Sequence, residues 1–146
     1  MNYPTNALAK YGTVNFSTSS PAQIVVMLYD GLFRFLREAM AAMEAKNPAR
    51  TGEQIHRAHA ILRHLLGSMV PEANPLLHER LTSLYMFAMR HCTAANLKRD
   101  PKMLEEVIRV LLPLRGAWAV AAERGVREAA AARAEAADIV RLAATG

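Results

Sequence analysis

Thr18-Ser19-Ser20-Pro21-Ala22-Gln23-Ile24-Val25-Val26-Met27-Leu28-Tyr29-Asp30-Gly31 opens the first long helix of this chain and sets its fold class. Ser20 is a capping residue, and Pro21 falls at the first helical position, where a missing N–H costs nothing. Gln23 comes three residues after Ser20 and closes a capping box. An apolar run follows and is broken by Leu-Tyr-Asp-Gly. A tyrosine, an aspartate and a glycine within one turn exceed what a plain core helix needs.

The start signal recurs down the chain. Asn47-Pro48, Asn74-Pro75 and Asp100-Pro101 each place a capping side chain before a proline. Helix one is expected from about Pro21 to Ala45, with Ile24, Leu28, Leu32, Phe35, Ala39 and Met43 as its apolar stripe. Lys46-Asn47-Pro48 ends it. Helix two is expected near Thr51, where Thr51 and Gln54 offer a second capping box, and it stops at Val70-Pro71. Its stripe is Ile55, Ala58, Leu62, Leu65, Leu66 and Met69. Helix three, from Asn74-Pro75, carries Leu77, Leu81, Leu84, Tyr85, Ala88, Cys92 and Ala95. Helix four, from Asp100-Pro101, carries Leu104, Val107, Ile108, Leu111, Leu114 and Trp118, with a kink expected at Pro113.

Four amphipathic helices with short connections predict an all-α, antiparallel up-down four-helix bundle. A short N-terminal helical arm and an Ala-rich C-terminal helical extension flank it. The expected division is 1–19 for the arm, 20–124 for the bundle and 125–146 for a loosely held Ala/Arg-rich tail.

Composition agrees. The chain has 146 residues, a one-domain length, and is 52% hydrophobic but only 6% aromatic, as helical bundles are. No apolar stretch approaches the roughly 20 residues that cross a bilayer, which predicts a soluble chain with no membrane insertion. There is no secretory leader pattern, and the single cysteine excludes an internal disulfide; both fit a cytoplasmic location. The net charge of +5 permits nucleic-acid binding. The basic residues, however, are scattered beside acidic ones, as at Arg37-Glu38 and Glu79-Arg80, without interleaved aromatics. Solvated helix faces explain them better, and a basic helical nucleic-acid-binding module stands only as the alternative.

Catalytic and metal chemistry find little support. His56 and His59 share a helix face with His64 nearby, but no carboxylate or cysteine lies at ligand spacing, so surface histidines are the plain reading. Cys92 sits on an apolar stripe, as a structural thiol does. No phosphate-cradling glycine loop or nucleophile elbow is present. Of eight methionines, Met86 and Met89 fall partly off their stripe and suit an adaptable groove. Packing alone leaves Tyr29, Asp30, Asn96 and Trp118 unexplained.

These residues are where the chain resembles the flagellar secretion chaperone family FliS. The resemblance runs from a tyrosine in the arm, Tyr11, through Thr18-Ser19-Ser20-Pro21 and Met27-Leu28-Tyr29-Asp30-Gly31. It continues with Ala58 and Ala60-Ile61-Leu62, Leu84-Tyr85 with Met89, Ala95-Asn96 and Glu106-Val107, and ends at Arg115-Gly116-Ala117-Trp118. Ser19 stands where the family has alanine, Asn74-Pro75 where a Gly-Gly turn is common, and Met86-Phe87 where Asp-Tyr is usual. The tail after Trp118 is longer than the family needs.

The resemblance implies a non-enzymatic cytoplasmic export chaperone without cofactor or metal. Its partners would be the disordered C-terminal segment of flagellin and the flagellar export apparatus, and its state a monomer or weak homodimer. It would prevent premature polymerisation and deliver flagellin for type III secretion. The implied cargo groove is Tyr11, Leu28, Tyr29, Asp30, Ala95, Asn96, Val107, Leu111 and Trp118. Tyr29, Asp30 and Asn96 would fix backbone groups of the cargo or of the arm, which would cover the empty groove.

Overall fold

The computed structural model describes residues 20–69 and 71–145. They form four helices: α1 Pro21–Glu44, α2 Pro48–Gly67, α3 Pro75–Lys98 and α4 Pro101–Thr145. Tyr11 and the expected arm helix lie outside the described residues.

Each helix starts on a proline behind a side-chain cap. The Ser20 hydroxyl accepts the Gln23 N–H at 3.1 Å, and the Gln23 amide oxygen accepts the Ser20 N–H at 2.7 Å, completing the capping box. Asn47 and Asn74 accept the N–H groups of Arg50 and Leu77, each at 3.1 Å. The Asp100 carboxylate accepts the Lys102 N–H at 3.0 Å. Such caps contribute about 1 kcal/mol each. The ends of α1 and α3 close through Lys46 (φ 56°) and Arg99 (φ 53°), left-handed residues that let the next N–H reach back to Ala42 and Ala95.

One boundary differs from the sequence reading. α2 begins at Pro48, three residues before Thr51, because Asn47 supplies the cap that Thr51 was expected to give. Thr51 lies inside the helix and donates its hydroxyl to the Asn47 carbonyl at 2.9 Å, while Gln54 is buried instead of reaching back to a cap. At its other end α2 stops at Gly67, short of Val70-Pro71.

α1 packs against α2 and α4, and α3 packs against the same two, so α1 and α3 occupy opposite corners of the bundle. The stripes meet in one core. It includes Leu32, Leu36 and Ala39 of α1, Ala58 and Leu62 of α2, Ala88 and Cys92 of α3, and Leu104, Val107 and Leu111 of α4. Leu77, expected in the α3 stripe, is 50% exposed, because the first turn of α3 lies at the end of the bundle.

α4 runs as one helix through Pro113, which is exposed. Its 45 residues span roughly 67 Å, against about 36 Å for the 24 residues of α1. α4 therefore outruns the bundle, and side chains after Val126 are exposed. The expected tail is thus a continuation of α4, helical as far as Thr145.

Candidate functional site

The first turns of α1, the last turns of α2 and the start of α3 come together at one end of the bundle. There they frame an open pocket of about 500 Å³. α1 supplies Pro21, Ile24, Val25 and Leu28. α2 and the turn after it supply His64, Leu65, Ser68, Met69 and Ala73, and α3 supplies Leu77, His78, Leu81 and Tyr85. Trp118 of α4 closes the fourth side. Leu76, on the first turn of α3, is 56% exposed.

The lining is mostly apolar. Two of its polar side chains are spent locally: Asn74 caps α3, and the Ser68 hydroxyl donates to the Leu65 carbonyl at 3.0 Å. The pocket exists because the apolar stripes continue past the last layer in which four helices close on one another. Met69 and Leu77 fall on continuing stripes but line the open pocket and are only partly covered.

The expected groove residues divide into three groups. Leu28 and Trp118 line the pocket. Ala95, Val107 and Leu111 are fully buried in the core, so their contribution is to hold the helices in place. Tyr29 is also fully buried, and its hydroxyl lies 2.5 Å from that of Tyr85 across the bundle diagonal. Tyr85 lines the pocket floor, so Tyr29 acts on the pocket from behind.

The three polar residues make contacts within the chain itself. The Tyr29 hydroxyl is committed to Tyr85 and has no exposed surface to offer cargo. Asp30 is exposed but takes a two-pronged ion pair from Arg115, at 2.8 and 3.2 Å, which clips α1 to α4. With both side chains over a third exposed, that clip contributes well under about 1 kcal/mol. Asn96 sits near the C-terminal end of α3, whereas the pocket draws on the N-terminal half of that helix, and its carbonyl accepts the Arg99 N–H.

The sequence reading missed Ile24, Val25, Leu65, Met69, Leu81 and the two histidines at the pocket. Their signal was positional: apolar residues in the terminal turns of three helices that share one end of an up-down bundle. It also missed the partner of Asp30, although Arg115 and Asp30 stood in the two most specific motifs.

The remaining candidates resolve simply. The His59 ring bonds the Met89 carbonyl at 3.1 Å, joining α2 to α3, and burial lowers its pKa. His91 pairs with Glu106 at 2.6 Å and stacks on Phe87. Among the described residues no three metal-ligating side chains converge. Met86 is exposed, while Met89 packs against the core.

Burial leaves a titration signature. It pushes the Tyr29 phenol far above its ordinary value, and Tyr85 adds to the effect. Burial also raises Tyr85, against the pull of its hydrogen bond, and drives the Cys92 thiol up to about 12. The unfolded chain ionises these groups at about pH 8.5–10, where the native fold still holds them neutral. Their contribution is therefore complete below about pH 8.5 and drains as the pH rises through that window and beyond. The urea midpoint is expected to fall steadily from pH 8 to pH 10.5. A Cys92→Ala chain should show a shallower fall, and equal slopes would refute the assignment to Cys92.

The described residues form an all-α four-helix bundle with an apolar pocket open at one end. The comparisons give that class its family. The profile of the family described as "Flagellar protein FliS" matches residues 4–125, and the chain belongs to that family. It is 34% identical over 102 residues to the flagellar secretion chaperone FliS of Vibrio cholerae, covering 70% of this chain and 75% of that protein. To the flagellar secretion chaperone FliS of Bacillus subtilis it is 30% identical over 121 residues, covering 82% and 90%. A solved structure described as a flagellar chaperone from bacteria superposes with a TM-score of 0.67 over 82% of this chain and 98% of the other. At 18% identity, that likeness speaks for the shared bundle fold alone. No helix among the described residues is long and apolar enough to cross a membrane.

Proposed function

We propose that this chain is a flagellin export chaperone that seats the C-terminal segment of flagellin in the pocket at the end of the bundle. In this reading it keeps flagellin from polymerising in the cytoplasm and presents it to the flagellar export apparatus. The observation that carries the reading is the open apolar pocket framed by Ile24, Leu28, Leu81 and Trp118 in a chain of the flagellar secretion chaperone family. A segment disordered alone gains helix and buried area together when it lays an apolar face into such a site. The ordering cost of roughly 2–5 kcal/mol is met by the apolar contact it makes.

The nucleic-acid alternative loses ground on geometry. Arg34, Arg50, Arg57, Arg115 and Arg141 each lie within ion-pair distance of an acidic side chain, Arg34 and Arg50 sharing Glu38, so these cations are interleaved with carboxylates instead of forming a basic patch. Immobilised chain is expected to capture full-length flagellin from the same organism and to lose it when the flagellin lacks its C-terminal segment. Equal capture of both forms would place the cargo site elsewhere.

A further inference from the structure

Two pocket side chains are left without a role. His64, in the last turn of α2, and His78, in the first turn of α3, both line the pocket, and each is half-buried. Neither ring has a hydrogen-bond or ion-pair partner among the described residues. His59 and His91 differ, since one is held by the Met89 carbonyl and the other by Glu106.

No charged group faces the two rings across the pocket. α1 brings Pro21, Ile24, Val25 and Leu28 to the lining, and α4 brings Trp118. The turn between α2 and α3 adds Met69, Ala73 and the neutral Asn74. The other titratable group of the lining is Tyr85, whose phenol is bonded to Tyr29 and kept neutral by burial. Glu72, Glu79 and Arg80 flank His78 in sequence, and Arg63 flanks His64, but all four are exposed and outside the lining. On α4, Arg115 is taken by Asp30, and Glu123 is exposed and outside the lining.

Histidine is the side chain that ordinarily changes charge between about pH 5 and 8. In the open pocket water reaches both rings, and an apolar segment that fills the pocket takes that water away. A neutral imidazole then forfeits a hydrogen bond, whereas an imidazolium without a counter-ion meets a far larger desolvation cost. The lining holds no carboxylate to offset that charge. Occupancy and protonation therefore oppose each other, and linkage makes each report the other.

We propose that His64 and His78 make cargo capture pH-dependent. The pocket takes the flagellin segment while both rings are neutral and gives it up as they gain protons. This inference rests on the function proposed above and adds a regulator to the same site.

The test is calorimetric titration of the full-length chain with the flagellin C-terminal segment as a peptide. Lowering the pH from about 7.5 to about 5.5 is expected to weaken binding at least tenfold. At about pH 6.5, titration in two buffers of different ionisation enthalpy should show release of about one proton per peptide bound. His64→Gln with His78→Gln should lose most of both effects, and each single variant should keep part of the proton release. The same peptide serves every chain, so its own titrating groups cancel in the difference. His56→Gln, exposed on α2 and outside the lining, should behave as the unsubstituted chain does. His64 and His78 lie at the open end of the bundle, so circular dichroism should show equal helicity in all of these chains.

Binding by the unsubstituted chain with equal affinity at both pH values and no proton release would overturn this inference and leave the proposed function standing. A pH dependence that survives in H64Q/H78Q would do the same. So would tighter binding in acid, which would set the rings against a carboxylate of the cargo. No binding at about pH 7.5 would overturn both.

Discussion

A Tyr29→Ala chain is expected to lose about 3–5 kcal/mol of unfolding free energy, the largest effect of any single change considered for this bundle. The side chain has no exposed surface, is held at the bundle centre and packs 6.0 Å from the Phe33 ring, so its removal opens a cavity that rigid helices fill poorly. The loss also strands the hydroxyl of Tyr85, a buried residue whose phenol shares its hydrogen bond with Tyr29. The milder changes separate the two causes. Tyr29→Phe keeps the packing and leaves one orphan hydroxyl, for a loss of about 1–3 kcal/mol. Tyr29→Phe with Tyr85→Phe removes both hydroxyls and should recover most of that loss. Urea unfolding of the unsubstituted chain, Tyr29→Phe, Tyr85→Phe and the double-Phe chain measures the cycle, and a double-Phe chain as unstable as the sum of its singles would show that the hydroxyls act independently.

The second large effect concerns binding. Trp118→Ala should weaken capture of the flagellin segment by about 30-fold or more, roughly 2 kcal/mol, because a pocket-wall tryptophan is the residue type that dominates such contacts. Stability should suffer less, since Trp118 is only partly buried. The chain has one tryptophan, so the emission of the unsubstituted protein reports occupancy directly. A tryptophan-free peptide should shift that emission toward the blue as it excludes water from the indole. Unchanged affinity in the alanine chain, or an emission spectrum indifferent to saturating peptide, would remove Trp118 from the site.

The sequence announced the bundle more clearly than the pocket. Ser20-Pro21, Asn47-Pro48, Asn74-Pro75 and Asp100-Pro101 mark every helix start, because a cap and a proline act within one turn and need no tertiary context. Thr51 misled for the same reason: its local pattern was sound, but Asn47 offered an equally local cap earlier in the chain. Tyr29 was legible as unusual without its partner being legible. A hydroxyl bond to Tyr85 spans 56 residues, and nothing in a one-dimensional pattern fixes which two tyrosines meet. The pocket was hidden because its residues look like ordinary stripe positions. What distinguishes Ile24, Met69 and Leu77 is that they come together around one open pocket, a property of the assembled bundle.

The connections 45–47, 68–74 and 99–100 join helices that neighbour one another in space, so most of the bundle forms from pairings local in sequence. Such chains fold within microseconds to milliseconds. The exception is the closure of α1 on α4, which brings Asp30 to Arg115 across 85 residues and sets Trp118 opposite Leu28. During synthesis this closure waits until the ribosome has released residue 118. Under the function proposed above, a chain synthesised only as far as α3 would present three sides of the pocket, and cargo capture would switch on late, when α4 closes the fourth.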